Sequence, residues 1–510
     1  MLERTIFGIL ALLCMLALLY VQPVVPSDQP ALSHALALFR IGFGALLCFR
    51  LQRLRKALPM LWPSETARGW DKRVSLPWLI TIWQVLAVGL ILGVYTPVMA
   101  ALNFAMGLYV FGRARLYSIE EILFQNASFF LIWLDSGRVF SVDSLASLMG
   151  GVSEAGRLLA INLFWLSLVG VLFSAGLEKL FSPTWRMGQG FNCFVGMPHF
   201  VRPLFHFLRR FPRWGLFLSW LTVIAESSLL VASLWGPARL VATLILLGFA
   251  FSLFVVVDIS FIGQILSLCL LLFLGLDLAK AFGGGSLHDA RGQVLSFNDP
   301  LSMAVVVMLV LTLASLLDLR VPFLGGAKAL ARWTTGLAPI KVFTEQHLEG
   351  LYLYRIGVRL KDGRTVEGLP VFTEEGGPGR LQQWYPRIFQ GFMYPVTDLC
   401  LLYGHRGPEV ARASRKFFAI RDLMACALKN VQQSEPTGIS EVTLYVRSVE
   451  CRELTPGVAP LYACSEWVPF VRSGVEQGKL QEPEWQSSPP MVSASSRLTQ
   501  QLGPAVGGRT

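Results

Sequence analysis

Residues that could take part in catalysis or binding are concentrated where a long apolar run meets a basic stretch, in FSAGLEKLFSPTWRMGQGF (173–191). Glu178 and Lys179 are adjacent there, and Trp185 and Arg186 follow. A charge at the edge of a membrane invites a functional interpretation, because it is costly unless it is paired or reaches water. A lysine just past an apolar helix is more often an interface anchor and an orientation signal. The stretch is therefore either a polar helix end or a site, and its spacing alone favours the anchor.

A second charged residue, Arg40, lies inside the apolar segment ALFRIGFGALL (37–47). Its neighbours Gly42 and Gly44 are small enough to allow close helix approach, so packing explains them more simply than chemistry does. We expect Arg40 to pair with an acid on a neighbouring helix, and a structural ion pair is favoured over a substrate contact. The candidate partners are Glu120, Glu121, Glu226 and Asp258.

A polar stripe interrupts one apolar run. Glu120 and Glu121 are followed by Gln125 and Asn126, which places polar groups along roughly one side of a helix. We expect this side to face the interior of a helix bundle. There it either lines a cavity or binds other helices, and the residues alone leave both possibilities open.

Two further polar patterns carry weaker signals. SGRVFSVDSL (136–145) places Arg138 and Asp143 at a membrane edge, where we expect a salt bridge that fixes a loop. The six histidines are dispersed, and His199 and His206 are too far apart along a basic loop to form a recognisable ligand pair. The sequence therefore predicts no metal site.

The composition identifies the kind of protein that must position these residues. Of 510 residues, 54% are hydrophobic and 15% are charged, whereas soluble domains carry about a quarter charged residues. The net charge of +11 comes from basic residues between apolar runs, which indicates orientation signals rather than nucleic-acid binding. The eight cysteines show no CxxC or ligand spacing, so no disulfide framework is expected.

The apolar runs predict an all-α polytopic membrane bundle over residues 1–325, because backbone groups in lipid must bond internally. A helix needs about 20 residues to cross the hydrocarbon. The first run is interpreted as an uncleaved helix, with a signal peptide as the alternative. The ten candidate spans are 5–22, 33–50, 76–93, 97–112, 117–134, 158–177, 214–234, 238–257, 260–278 and 302–319.

The distribution of lysine and arginine predicts an orientation. The loops 51–75 and 178–213 are rich in basic residues, whereas 23–32 and 94–96 contain none. With ten spans, both basic loops and both termini lie on the cytoplasmic side. We therefore expect a multi-pass protein of a bacterial inner (plasma) membrane.

After the last apolar run the pattern predicts a small soluble α+β domain over 335–471. Residues 351–372 alternate around an Asp-Gly pair, which predicts a hairpin. A leading proline and an apolar stripe predict a helix over 408–429, and 441–451 is typical of a strand. The following residues, 472–510, are poor in apolar side chains and are expected to form a disordered tail.

Three segments in the same order resemble the HTTM (horizontally transferred transmembrane) domain, the membrane module shared with vitamin K-dependent γ-carboxylases. They are ALFRIGFGALL (37–47), SGRVFSVDSL (136–145) and SAGLEKLFSPTWRMG (174–188), of which the third is the most specific. The likeness extends over about residues 33–280. It does not reach the predicted soluble domain.

The resemblance implies that Lys179 is the base that deprotonates reduced vitamin K or another quinol, which then supports carboxylation of glutamate in a protein substrate. Trp185 and Phe181 are the residues suited to a quinone ring. The carboxylases carry a functional histidine in the segment matching 117–134, whereas this chain has Glu120 near that position. Two interpretations compete: a carboxylase-like enzyme, and a non-catalytic HTTM scaffold whose soluble domain binds a partner. A transporter ranks last, since no inverted repeat is visible.

Overall fold

The chain divides into two compact units. The first comprises Met1–Arg55, Ala67–Phe181 and Trp220–Val342, and the second Lys56–Thr66, Ser182–Ser219 and Phe343–Thr510. The predicted boundary at residues 325–335 assigned 182–219 to the first domain, whereas these residues belong to the second unit together with the C-terminal part. A computed structural model describes residues 29–61, 76–113, 119–146, 154–196, 211–255, 260–282, 350–369, 371, 393–435, 438–453 and 461–490.

The described residues up to 282 form helices joined by turns, as their apolar runs predict. The helices are α1 (Gln29–Leu61), α2 (Leu76–Leu92), α3 (Thr96–Arg113), α4 (Ile119–Leu131), α5 (Val142–Ala146), α6 (Glu154–Phe181), α7 (Pro183–Arg186), α8 (Gly190–Gly196), α9 (Pro212–Ala232), α10 (Gly236–Val255) and α11 (Ser260–Phe282).

Four of these described helices contain segments long and apolar enough to cross a membrane, namely Pro30–Arg55, Ala160–Phe181, Arg213–Ala232 and Phe261–Leu278. Three shorter apolar helices accompany them: Pro77–Leu92, Thr96–Gly112 and Pro237–Leu253. These lengths indicate a membrane protein.

The prediction of ten spans is not supported. The fifth predicted span, 117–134, is a helix of only 13 residues, and a helix needs about 20 to cross the hydrocarbon. Its polar first turn shortens the apolar run. The first and last predicted spans, 5–22 and 302–319, lie outside the described residues.

Helix α6 runs through the core of the first unit. The Phe164 ring lies 5.1 Å from Phe130 of α4, 5.5 Å from Phe273 of α11 and 5.6 Å from Phe39 of α1, measured between centroids. Aromatic pairs at such separations contribute beyond their buried area. These contacts fix the helix that carries Lys179.

The glycines of α1 allow close helix approach, as predicted. A Cβ on Gly44 would lie 2.6 Å from Ile91 Cγ1 and 3.0 Å from the carbonyl oxygen of Ala87, both in α2. A Cβ on Gly42 would lie 2.8 Å from Leu268 Cδ1 of α11. Larger residues would push α1 away from both helices.

The described C-terminal part is a seven-stranded antiparallel sheet with helices, in the path β2-β1-β3-β5-β6, to which β4 adds beside β3 and β7 beside β5. The elements in chain order are β1 (Gly350–Leu360), β2 (Thr365–Leu369), α12 (Met393–Arg406), α13 (Pro408–Ala413), α14 (Arg415–Gln432), β3 (Ile439–Glu453), β4 (Leu461–Cys464), β5 (Val468–Glu476), β6 (Lys479–Leu480) and β7 (Glu484–Trp485).

The predicted hairpin is confirmed in β1 and β2. Gly363 has a φ of +89°, which a glycine adopts without strain, and Asp362 Oδ1 accepts a hydrogen bond from the Arg364 backbone N–H at 2.9 Å. The strand predicted at 441–451 is also confirmed, within β3.

The helix predicted over 408–429 is two helices. Ser414 lies between α13 and α14 in an extended conformation, and its hydroxyl accepts a hydrogen bond from the Lys416 backbone N–H at 3.2 Å. Serine is a favoured N-cap because its oxygen satisfies a free N–H of the first turn. The apolar stripe continues across this break, which is why the pattern resembled one helix.

The sheet extends beyond the predicted domain end at residue 471. Strands β5, β6 and β7 include residues 472–485, so the prediction of a disordered tail is wrong for this part. Trp485 fixes the segment, since its ring lies 4.9 Å from Tyr403, 5.0 Å from Phe470 and 5.2 Å from Phe417. Residues 491–510 lie outside the described part.

Buried thiols in this domain give a test of its core. Burial raises the pKa of the Cys426 thiol to about 12 and also raises that of Cys400. Maleimides react with the thiolate. We therefore expect maleimide at pH 8 to label the partly exposed Cys464 while sparing Cys426 and Cys400. Peptide-resolved mass spectrometry of the folded chain checks this, and equal labelling of the three would contradict the fold.

Candidate functional site

Lys179 forms a buried ion pair with Glu226. It lies in the last turn of α6, and its Nζ donates to Oε2 of Glu226 on α9. The side chains are 5% and 2% exposed, so both charged groups are enclosed by protein. This is the type of arrangement in which a proton can move between two groups held in hydrogen-bond contact.

Gly176 explains why the two helices meet there. A Cβ on Gly176 would lie 2.6 Å from the backbone nitrogen of Ser227 and 2.8 Å from the carbonyl carbon of Glu226. Only a residue without a side chain permits this approach, which resembles the small-residue contacts of membrane helices. The AG-x-x-K spacing thus places Lys179 one turn beyond the contact, within reach of Glu226.

The environment of Lys179 differs from that of an interface anchor. An anchoring lysine extends its ammonium group toward the headgroups, whereas Lys179 turns inward to a carboxylate. The adjacent Glu178 is partly exposed. The two residues occupy different environments, as their neighbouring positions on a helix require.

The two residues considered for a quinone ring belong to different units of the chain. Phe181 ends α6, is partly exposed, and is about 200° around the helix from Lys179. Trp185 lies in α7, within the second unit, and is 2% exposed. A Cβ on Gly190 would lie 2.0 Å from Trp185 Cδ2, so this part of the chain already covers the indole ring.

Glu120 belongs to a different buried cluster. Arg50 of α1 donates to Glu120 Oε1 at 2.6 Å and also to Glu121, with all three side chains at most 2% exposed. The guanidinium carbon lies 4.4 Å from the centroid of the Phe261 ring. A cation stacked on an aromatic face is stabilised by the ring quadrupole. Glu120 therefore fastens α4 to α1, and it is not part of the Lys179–Glu226 pair.

The rest of the polar stripe on α4 also binds other helices. Asn126 Nδ2 donates to Ser167 Oγ of α6 at 2.7 Å. Gln125 lies against Gly107 of α3, where a Cβ would be 1.5 Å from its Nε2. The stripe faces the interior as predicted, and of the two roles left open it performs helix binding.

Arg40 does not pair with Glu120, Glu121 or Glu226, the three of its four predicted partners that the structure describes. Its guanidinium donates to the carbonyl oxygen of Ser136 at 2.9 Å and to that of Phe140. Glu120 and Glu121 bind Arg50, Glu226 binds Lys179, and Asp258 lies outside the described residues. Backbone carbonyls of a loop satisfy the buried cation instead. The first two motif segments, 37–47 and 136–145, thus contact each other directly.

The predicted Arg138–Asp143 salt bridge is also replaced by other contacts. Arg138 pairs with Asp135. Asp143 of α5 instead accepts hydrogen bonds from the backbone N–H groups of Tyr95 at 2.7 Å, just before α3, and of Thr96 at 2.8 Å, the first residue of α3. The carboxylate therefore joins α5 to the start of α3 rather than fixing one loop.

Removing this carboxylate has a defined cost. Asp143→Ala deprives two backbone N–H groups of their acceptor, and we expect the free energy of unfolding to fall by about 1–3 kcal/mol. Leu145→Ala is the matched control, because its side chain is 86% exposed and such changes usually stay within about 0.5 kcal/mol. Thermal unfolding in detergent micelles measures both, and equal melting points for the two variants would contradict the contact.

A third buried ion pair was not anticipated from the sequence. Arg239 of α10 donates through Nε to Asp277 Oδ2 of α11 at 2.9 Å, and a second bond makes the contact bidentate. Arg50 was likewise overlooked as a partner for Glu120 and Glu121. The available signal was the requirement that buried charges be paired. Among the described residues, no group of three or more His, Cys, Asp or Glu side chains could hold a metal ion.

Comparisons of the chain with protein-family models, with curated proteins and with solved structures find no match. Functional inference therefore depends on the residues of the site, their geometry and the three motif segments.

Proposed function

We propose that the chain is a multi-pass protein of a bacterial inner membrane, related to the HTTM proteins, that uses Lys179 as the base of a quinol-dependent carboxylation. Its substrates under this proposal are a reduced quinol such as vitamin K and a glutamate side chain of a protein. The observation that carries the proposal is the buried Lys179–Glu226 pair within the most specific motif segment.

The arrangement of the motif segments supports this relationship. Arg40 in the first segment holds the backbone of the second through Ser136 and Phe140. Gly176 in the third segment brings α6 against α9 and so positions the lysine. The characteristic residues of each segment therefore make contacts that hold the first unit together.

The donor set fits a quinol hydroxyl. Lys179 offers one nitrogen as a proton acceptor, and the pair lies between apolar helices of the kind that exclude water. When bound, a quinol would react with oxygen to supply the strong base that removes a γ-proton from glutamate. Phe181 is the partly exposed aromatic residue nearest in sequence to the amine. The ring of Trp185 is covered by the turn at Gly190, which makes it a less suitable contact.

Glu226 has a role in this chemistry as well as in folding. Transfer of a proton from Lys179 Nζ to Glu226 Oε2 leaves a neutral amine and a neutral carboxylic acid. Burial removes water from both charged groups, which lowers the free-energy cost of passing from the ion pair to the neutral pair. The neutral amine can then take the proton of a hydroxyl group. Glu226 is therefore a positioning residue and the proposed acceptor of the lysine proton.

The proposal is tested by isotopic CO₂ incorporation into a glutamate-containing peptide, using the full chain in lipid nanodiscs with and without reduced vitamin K. We expect incorporation that requires the quinol, and a loss of about 10²–10⁴-fold in Lys179→Ala, as is typical for removal of a general base. The exposed variant Lys416→Ala is the matched control. Equal incorporation by wild type and Lys179→Ala would refute the assigned base.

A second candidate function is that of a non-catalytic membrane scaffold. It is favoured by the C-terminal sheet and its helices, which have their own buried core with Leu353, Ile420 and Phe470 among its members. A scaffold would tolerate Lys179→Met/Glu226→Leu, which removes both charges of the buried pair, and would lose its function on removal of the C-terminal domain. The same pair of changes distinguishes it from the enzyme, whose activity is sensitive to the lysine.

A further inference from the structure

Two large apolar side chains are exposed in the described C-terminal residues from 350 onward. They are Val410, at 44% exposure, and Phe418, at 53%. Val410 lies on α13 and Phe418 near the beginning of α14, the two helices that meet at the Ser414 cap. Scattered single exposures need no explanation, but these two lie on consecutive helices that are joined at Ser414.

Phe418 is not an incompletely buried member of the core. Its neighbour Phe417 is 6% exposed and packs against Trp485, and Ile420 and Met424 are also buried. One position along a helix turns the side chain by about 100°. Phe418 therefore lies on the opposite side of α14 from the sheet, on the same side as the exposed Arg421.

Basic residues flank this apolar pair along the chain. From residue 406 to residue 421 the chain carries five arginines and lysines and a single acid, Glu409. Lys416 is paired with Asp398 at 2.6 Å, yet both side chains remain about half exposed. Within this stretch, the exposed cations among the described side chains are Arg406, Arg412, Lys416 and Arg421.

We propose that this surface binds the anionic headgroup layer of a lipid bilayer. The basic-apolar surface consists of Arg406, Val410, Arg412, Lys416, Phe418 and Arg421. Guanidinium and ammonium groups bind lipid phosphates, while an aromatic side chain enters the boundary between headgroups and acyl chains.

Two properties favour a bilayer over a protein partner. The sign of the charge is complementary to anionic lipids, and the apolar part comprises only two side chains, whereas a protein interface has a larger apolar core. The same chain also carries helices that can cross a membrane, which keeps this domain close to a lipid surface. This inference does not depend on the proposed carboxylase activity.

Trypsin reports on this surface directly, because it cleaves after the arginines and lysine that form it. The full chain is placed in nanodiscs of phosphatidylcholine, or of phosphatidylcholine with one quarter phosphatidylglycerol. We expect cleavage between residues 406 and 421 to be about tenfold slower in the anionic discs, and this protection to disappear at high salt.

Variants make the test specific. The triple variant Lys416→Glu/Phe418→Ser/Arg421→Glu should lose the protection by anionic lipid, measured as cleavage after Arg406 and Arg412. The matched control Lys479→Glu, an exposed cation on β6, should retain it. In the triple variant, a rate of cleavage after Lys479 equal to that of wild type in both lipids shows that the domain stays folded. Equal cleavage of the basic-apolar surface in the two lipids, or protection only after a soluble protein extract is added, would overturn the proposal.

Discussion

Replacement of Lys179 by methionine is expected to lower the free energy of unfolding by about 3–5 kcal/mol, the typical result of removing one partner of a buried ion pair. The reason is that the Glu226 carboxylate, which is 2% exposed, loses its ammonium partner while remaining enclosed. Chemical unfolding in detergent micelles measures the change. A loss of less than about 1 kcal/mol, the usual value for an exposed pair, would contradict the buried contact.

A double variant separates the structural cost from the chemistry. Lys179→Met/Glu226→Leu removes both charges, and replacing a buried pair by apolar residues is often neutral or stabilising. We therefore expect the double variant to regain most of the stability lost in the single variant. The double variant is then a folded protein that lacks the lysine, and such a protein is required for an activity measurement.

Replacement of Arg50 by methionine is expected to have an effect of similar size. Arg50 donates to Glu120 at 2.6 Å and to Glu121, so its removal takes a shared cation away from two neighbouring buried carboxylates. Like charges in a poorly solvated site repel strongly, and we expect a loss of about 3–5 kcal/mol. Added Glu120→Gln/Glu121→Gln substitutions should restore part of it by removing the repulsion.

The control for this prediction lies on the same helix. Arg55 is exposed, so Arg55→Met should change stability by at most about 0.5 kcal/mol. Both variants remove one positive charge and introduce the same side chain. Equal losses for Arg50→Met and Arg55→Met, followed by denaturant unfolding, would show that the buried cluster does not hold α1 to α4.

The helices were predictable because their signal is local. Runs of apolar residues in 33–50, 158–177 and 214–234 all form helices, and the Asp-Gly turn at 362–363 forms the expected hairpin. The polar stripe of α4 was correctly placed in the interior, since polar groups on an apolar helix are poorly accommodated by lipid. In each case the deciding residues are close together in the sequence.

The partners of the buried charges were not predictable in the same way. Arg40, Arg50 and Lys179 all needed a partner, and Glu226 was as suitable for Arg40 as for Lys179 on composition alone. The partner of each charge depends on which helices are in contact. For Lys179, Gly176 determines the partner because it allows α9 to approach α6. The loop carbonyls that bind Arg40 carry no sequence signal, because every residue has one.

The end of the C-terminal domain was misjudged for a related reason. Residues after 471 contain few apolar side chains, so composition indicated disorder. A single aromatic residue, Trp485, reaches Tyr403 and Phe417 on two helices and closes the sheet. Ser414 similarly divides a continuous apolar stripe into two helices through one hydroxyl hydrogen bond. Single contacts of this kind are too sparse for a pattern to reveal.

Quinol-dependent CO₂ incorporation by wild type and by Lys179→Met/Glu226→Leu tests the role of Lys179 as the base most directly. Both proteins are placed in nanodiscs with reduced vitamin K and a glutamate-containing peptide, after unfolding experiments have shown comparable stability. We expect quinol-dependent incorporation by wild type and a loss of at least about 10²-fold in the double variant. Incorporation by the folded double variant at the wild-type rate would contradict the role of Lys179 as the base.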